Sequence, residues 1–279
     1  MKTKTWLIIA ACLVLIGCIL FGGVMQMLKW DFTELTTVKY ETNRYELQEE
    51  YKNISIVTDT ANVELVPSEN QTTSVVCYEQ ENLKHSVTVK DGTLAIEIDD
   101  TRKWYEHIGI HFGTPKLTVY IPKEELGTLC VKASTGDICV ENMSAGTLDL
   151  SVSTGRITVT NVTCQVDANI RVSTGKTVLT DLQCKNLTSI GNTGSMVLKQ
   201  VIAKEKLSVQ RSTGDIKLEG CDAAELFLET DTGDVVGSLL TEKVFIAHTD
   251  TGKVAVPKTV TGGRCEITTD TGDIKITIS

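Results

Sequence analysis

The chain has 279 residues, 41% of them hydrophobic but only 5% aromatic, and 27 Lys and Arg stand against 36 Asp and Glu. Val, Ile and Leu supply much of the apolar content, which suits thin β-coils better than a globule built on large rings. The net charge of −9 argues against nucleic acid as a partner and against docking on anionic lipid headgroups.

Residues 1–5 hold Lys2 and Lys4 and read as a cytoplasmic tail. Residues 6–28 form an unbroken apolar run of 23 residues without a charge, long enough to cross a bilayer core of about 30 Å as a helix. A cleaved signal peptide is the main rival, but the run exceeds an h-region of roughly 7–15 residues. Leu15-Ile16-Gly17-Cys18 resembles a lipobox that would lipidate Cys18, yet the chain stays mostly apolar after it. The reading adopted is an uncleaved anchor. Two lysines before the span and Lys29 after it favour an inside N-terminus and an extracytoplasmic body.

Residues 29–51 then read as a juxtamembrane segment and residues 52–125 as an irregular β part. Ile54 to Leu65 looks like a degenerate coil with Ala61 at its corner, and Val87 to Ile96 like a hairpin turning at Asp91-Gly92. Leu117 to Ile121 is a strand ended by Pro122. Between these strands lies the aromatic, non-repetitive insert 99–114.

Residues 126–279 repeat. Thr-Gly recurs at eight regularly spaced positions, Gly136, Gly155, Gly175, Gly194, Gly214, Gly233, Gly252 and Gly272, in steps of 19 or 20 residues. A fixed period of this size marks a solenoid. Aligned on the glycine, apolar columns fall at seven and five residues before it and at two and four after it. Each pair alternates with period two, as strands with one inward face do. The one-residue slip between the pairs is a corner, where glycine supplies the positive φ. A further column seven after the glycine (Met143, Val162, Leu182, Val201, Cys221, Leu240) indicates a third side. Stacking in chain order would put Gly272 at the free end.

Cys12 and Cys18 lie in the apolar run, and the other seven cysteines contain no CxxC. Cys164 and Cys184 each follow a repeat glycine by nine residues and so should stack in adjacent coils as buried thiols.

The span, the opening strand, the Val119-Tyr120-Ile121-Pro122 strand and the serial (S/D)TGD corners resemble those of the DUF4097 family. Its members are membrane-anchored bacterial envelope proteins, often provisionally labelled adhesins. That resemblance covers nearly everything after residue 30 and implies no catalytic motif. It implies an envelope role, since relatives often accompany envelope-stress regulators in Gram-positive bacteria.

Candidate chemistry is sparse. The residues just after the glycines (Asp137, Arg156, Lys176, Ser195, Asp215, Asp234, Lys253, Asp273) mix signs as a charge ladder does, and no carboxylate pair stands out for catalysis. Asp231, Asp234, Asp250, Asp270 and Asp273 gather at the last three corners and are the calcium candidates, read here as solvated turn residues. His107 and His111 are four apart, but the glycine between them argues against a helical metal site. Trp104, Tyr105 and Phe112 are either a recognition patch or a cover for the solenoid's side.

The expectation is an all-β chain: a single-stranded parallel β-solenoid with coils of 19–20 residues, preceded by one N-terminal transmembrane helix. It would be a non-enzymatic, membrane-anchored envelope binding or scaffold protein, accessory to envelope-stress sensing. It would use no cofactor, with the membrane (through residues 6–28) and an unspecified envelope component or protein as partners. The alternatives are a calcium-stabilised surface adhesin and a polysaccharide-active β-helix enzyme.

Overall fold

The computed structural model describes residues 2–31, 39–102 and 113–279. Helix α1 (Lys2–Met27) opens the chain. Within Lys4–Met27 an 18-residue window reaches a mean hydropathy of 2.9, and a helix satisfies its own backbone groups, as a hydrocarbon core requires. A signal sequence would share these properties.

Among the described residues, twenty strands follow and form one sheet. The repeat is clearest from β9 (Ile138–Thr154) through β10 (Ile157–Cys164) and β11 (Asp167–Thr174) to β12 (Thr177–Thr193). Ile157 and Val159 point inward, Asn161 turns the chain with φ 52°, and Val162 and Cys164 line a second side. After a third turn Ala168, Ile170 and Val172 line the last side, before Thr174-Gly175 closes the coil. Corner glycines 136 to 272 all have φ between 124° and 155°. The expected columns are buried through the stack but not in its outermost coil, where Phe245, Ala247 and Val256 are half-buried and Val254 is exposed; the coil is three-sided.

The second corner has its own ladder of left-handed residues: Asn142, Asn161, Asp181, Gln200 and Gly220. Asn, Asp and Gly tolerate that conformation best. The third corner absorbs the alternation between 19 and 20 residues. Cys184 pairs with Ala203 but Asn186 pairs with Lys206, so the additional residue bulges there without disturbing the columns. Coil length fails to hold once: Leu239, not Leu240, is buried, because Gly237 pairs with Leu218 and Leu239 with Cys221, dropping a residue.

Stacking departs from chain order at both ends. In space, β6 (Thr93–Asp100) and β7 (Lys116–Ile121) come first. They pair with β2 (Asn53–Thr58) and β3 (Asn62–Pro67), which in turn pair with β8 (Glu125–Thr135) and β9. Ala61 does occupy the first corner, its carbonyl lying beneath Gly136. The coils then follow in order through β13 (Met196–Lys199), β14 (Ile202–Thr213), β15 (Ile216–Thr232) and β16 (Val235–Leu239). The next coil in space is the last in sequence, β19 (Gly263–Thr271) and β20 (Ile274–Ile278), which pairs with β15 and β16. Beyond it lie β17 (Lys243–Thr251) and β18 (Val254–Ala255). Gly252, rather than Gly272, therefore sits at the free end.

Two side-chain-free residues let the last coil slide into place. A Cβ on Gly262 would meet the Glu242 carbonyl at 1.8 Å, and one on Gly263 would meet the Ala224 carbonyl at 1.8 Å. Lys243 pairs in register with Gly263, and its Nζ reaches Asp222 of an earlier coil at 2.6 Å. The tucked coil is also held by Phe227, which packs beneath the cations of Lys206 and Arg264.

The opposite end is covered by antiparallel strands. β5 (Leu83–Lys90) pairs with β6 through the expected turn, with positive φ at Asp91 and Gly92. β4 (Thr73–Gln80) pairs with β7, and β1 (Tyr40–Leu47) pairs with β4. β1 lies inside the stretch read from sequence as juxtamembrane. Its alternation of polar and apolar residues is weak, and only its partner makes it a strand.

Candidate functional site

The Thr-Gly corners make one continuous edge. The threonines Thr135, Thr154, Thr174, Thr193, Thr213, Thr232, Thr271 and Thr251 pair in that spatial order. Beside them, aspartates bind backbone rather than one another. Asp215 Oδ1 accepts from Asp234 N (3.2 Å), Asp234 Oδ1 from Asp273 N (2.8 Å), and Asp273 Oδ1 from Lys253 N (2.8 Å). Asp137 does the same for Arg156, and Asn62 for Asp137. The backbone bond from Asp234 holds the Asp215 carboxyl below its ordinary range.

Of the other calcium candidates, Asp250 lies 2.9 Å from His248 Nε2, and Asp231 and Asp270 are exposed. Among the described residues no three of these aspartates bring donor atoms within metal-binding reach of one another. Trp104, Tyr105, His107, His111 and Phe112 lie outside the described residues. The ends of their insert are defined, however. β6 ends at Asp100 before it, and β7 begins at Lys116 after it.

Inside the stack is a group the hydrophobic columns did not reveal. Arg211, three residues before its corner glycine, points inward and is buried. Its guanidinium donates to Ser189 Oγ at 2.9 Å, to Thr177 Oγ1 at 3.4 Å and to the Gln210 carbonyl at 2.8 Å. Gly191 makes room, since a Cβ there would lie 3.0 Å from Arg211 Nη1. Burial pulls the guanidinium down to about 10. Ser189 and Thr177, exceptions in otherwise apolar columns, were the readable signal.

A second buried polar group joins the antiparallel cap to the end of β2. His85 Nδ1 lies 2.7 Å from Glu79 Oε2, and His85 Nε2 lies 3.0 Å from Thr58 Oγ1. Asn43 Nδ2 donates to Glu79 Oε1 at 2.8 Å, and the His85 backbone N–H donates to Oε2 at 2.7 Å. Burial opposes ionisation of Glu79, but the hydrogen bonds from His85 and Asn43 outweigh it and hold the carboxyl below its ordinary value. Hydroxyl, imidazole and carboxylate in series are the parts of an activated nucleophile. Here Thr58 is buried and the adjoining cavity of about 10 Å³ admits one water, not a substrate. The readable signal was Glu79, a charge two residues after Cys77 on an inward face.

The surface near this cap has two broad depressions of about 770 and 800 Å³. Tyr51, Thr73 and Pro122 line the first, and Pro67, Asn142 and Asn161 the second, with Glu49, Glu50, Glu69 and Glu124 at their margins. Such walls suit a polar or cationic ligand.

The described residues thus form a three-sided parallel stack with an exposed hydroxyl edge. The chain belongs to the Toastrack DUF4097 family, whose model matches residues 51–279. A Bacteroides fragilis protein provisionally described as an adhesin has the same fold, with a TM-score of 0.56 and 20% identity over 86% of this chain and 97% of its own. A Parabacteroides distasonis protein provisionally described as lipid-binding gives 0.53 and 17%, covering 87% of this chain and 98% of its own. Another from that organism, provisionally described as an adhesin, gives 0.50 and 13%, covering 86% of this chain and 98% of its own. A comparison with curated proteins finds no match.

Proposed function

We propose that this protein is a non-enzymatic binding scaffold of the cell envelope, anchored by residues 6–28 with its solenoid outside the membrane. The observation that carries this is the uninterrupted corner edge, which offers a long regular surface where a turnover enzyme would need a cleft with convergent groups. Family membership and the provisional adhesin descriptions of structural neighbours support it. The insert carrying Trp104, Tyr105 and Phe112 is the first place to look for a partner, because it breaks the repeat and carries the chain's scarce aromatic rings. An accessory part in envelope-stress sensing fits the same arrangement.

The test is capture of envelope components on the purified protein, together with incubation against cell-wall and plant glycans. Saturable retention of an envelope component without glycan cleavage is expected. Release of shortened glycan would overturn the non-enzymatic reading.

A further inference from the structure

We propose that Cys77, Glu79 and His85 form a transition-metal site of the zinc class that ties together β4 and β5, the two cap strands that carry them. Their donor atoms, a thiol sulfur, a carboxylate oxygen and an imidazole nitrogen, all lie within 4.8 Å of one another, and all three residues are buried. Thiolate with imidazole selects zinc-like ions over calcium or magnesium, and three protein ligands with one further position is a recurring zinc arrangement.

The surroundings supply what such ligands require. Metal on His85 Nδ1 places the ring proton on Nε2, and Thr58 Oγ1 is 3.0 Å away to accept it. Glu79 Oε1 is oriented by Asn43 Nδ2, and Oε2 by the His85 backbone N–H. These outer contacts fix tautomer and ligand direction. None of these bonds uses the Cys77 thiol. Ligation of the thiol to a metal releases its proton to solvent.

A fourth position is available on the open side. The cavity of about 10 Å³ lined by Thr58, Glu79 and His85 has room for about one water. Gln80 lines the same cavity, and its buried Oε1 has no hydrogen-bond partner among the described residues. A metal-bound water would donate to it. This orphaned acceptor is an observation independent of the ligand cluster.

The experiment is Co²⁺ titration of the chelator-treated full chain in detergent. One equivalent should produce a near-ultraviolet thiolate-to-cobalt charge-transfer band that Zn²⁺ bleaches, and Zn²⁺ should raise the melting temperature. Cys77→Ser should remove the band and the thermal shift. Glu79→Gln, which keeps the side chain's shape, should weaken cobalt binding by about tenfold or more. A folded wild-type chain with no band at one equivalent overturns the proposal. So does a band that survives Cys77→Ser, which would place the thiolate elsewhere, for example at Cys12 or Cys18.

Discussion

Arg211 is a cation held in an apolar stack by neutral partners alone. Charge burial without a counterion is costly, so its fit depends on Ser189, Thr177 and the space above Gly191. Arg211→Met keeps the stem and removes the charge, and should change stability by no more than about 1 kcal/mol. Arg211→Ala leaves a void and should cost about 2–5 kcal/mol. Equal loss in thermal melts of both variants would show that the guanidinium hydrogen bonds, not packing, hold the coil. The buried thiols act in the opposite sense. Cys164 and Cys184 are stacked as the repeat requires, unbonded, and pushed up by burial to about 12 from a thiol's ordinary 9. Folding keeps their protons, so this stability is complete below pH 9 and drains away as pH rises toward 12. Denaturant midpoints should fall across that window, and Cys164→Ala with Cys184→Ala should flatten the fall. An unchanged slope in the double variant would contradict the assignment.

At the scale of the element, each corner glycine packs against the carbonyl of the corner beneath it, so a Cβ has nowhere to go. On Gly214 it would meet the Gly194 oxygen at 2.4 Å, on Gly272 the Gly233 oxygen at 2.0 Å, and on Gly252 the Gly272 oxygen at 2.0 Å. Positive φ adds strain of roughly 1 kcal/mol or more. Gly272→Val disturbs coils on both sides and should destabilise about as much as Gly214→Val. Gly252→Val disturbs only the free end and should cost less. The reverse ranking of Gly252 and Gly272 in thermal melts would restore stacking in chain order. The aspartate ladder is gentler. Asp234→Asn keeps an acceptor for Asp273 N, as Asn62 does for Asp137, and should be neutral within about 0.5 kcal/mol. Asp234→Ala loses the bond and should cost about 1 kcal/mol. If Asn proves as harmful as Ala, the charge itself matters, and calcium returns as its partner.

For the whole molecule, the anchor and the solenoid make separate predictions. Protease added to intact protoplasts should digest the chain beyond α1; full protection would reverse the proposed orientation. Alanine at Trp104, Tyr105 and Phe112 should weaken envelope binding while the melting temperature holds. Unfolding of that variant would make the insert a cover and remove the proposed contact. Since the corner carboxylates already serve backbone donors, calcium should shift the melting temperature little, and a large rise would favour the calcium-stabilised alternative.

Local periodicity is written into the chain because every coil meets the same neighbours. The inward columns, the Thr-Gly corners, the Asp91-Gly92 hairpin and the Ala61 coil were therefore all legible from spacing. Features that depend on which coil meets which were not. The strand character of Tyr40–Leu47 comes from its partner β4, and the buried roles of Arg211 and of Thr58, Glu79 and His85 come from residues distant in sequence. Above all, the sequence by itself determined the period and the three-sided coil, while only the tertiary structure decided the order of the stack. All corners share nearly the same backbone geometry, so repetition alone cannot rank one neighbour over another. The side-chain-free Gly262 and Gly263, the reach of Lys243 to Asp222 and the grip of Arg264 on Phe227 make the choice in space.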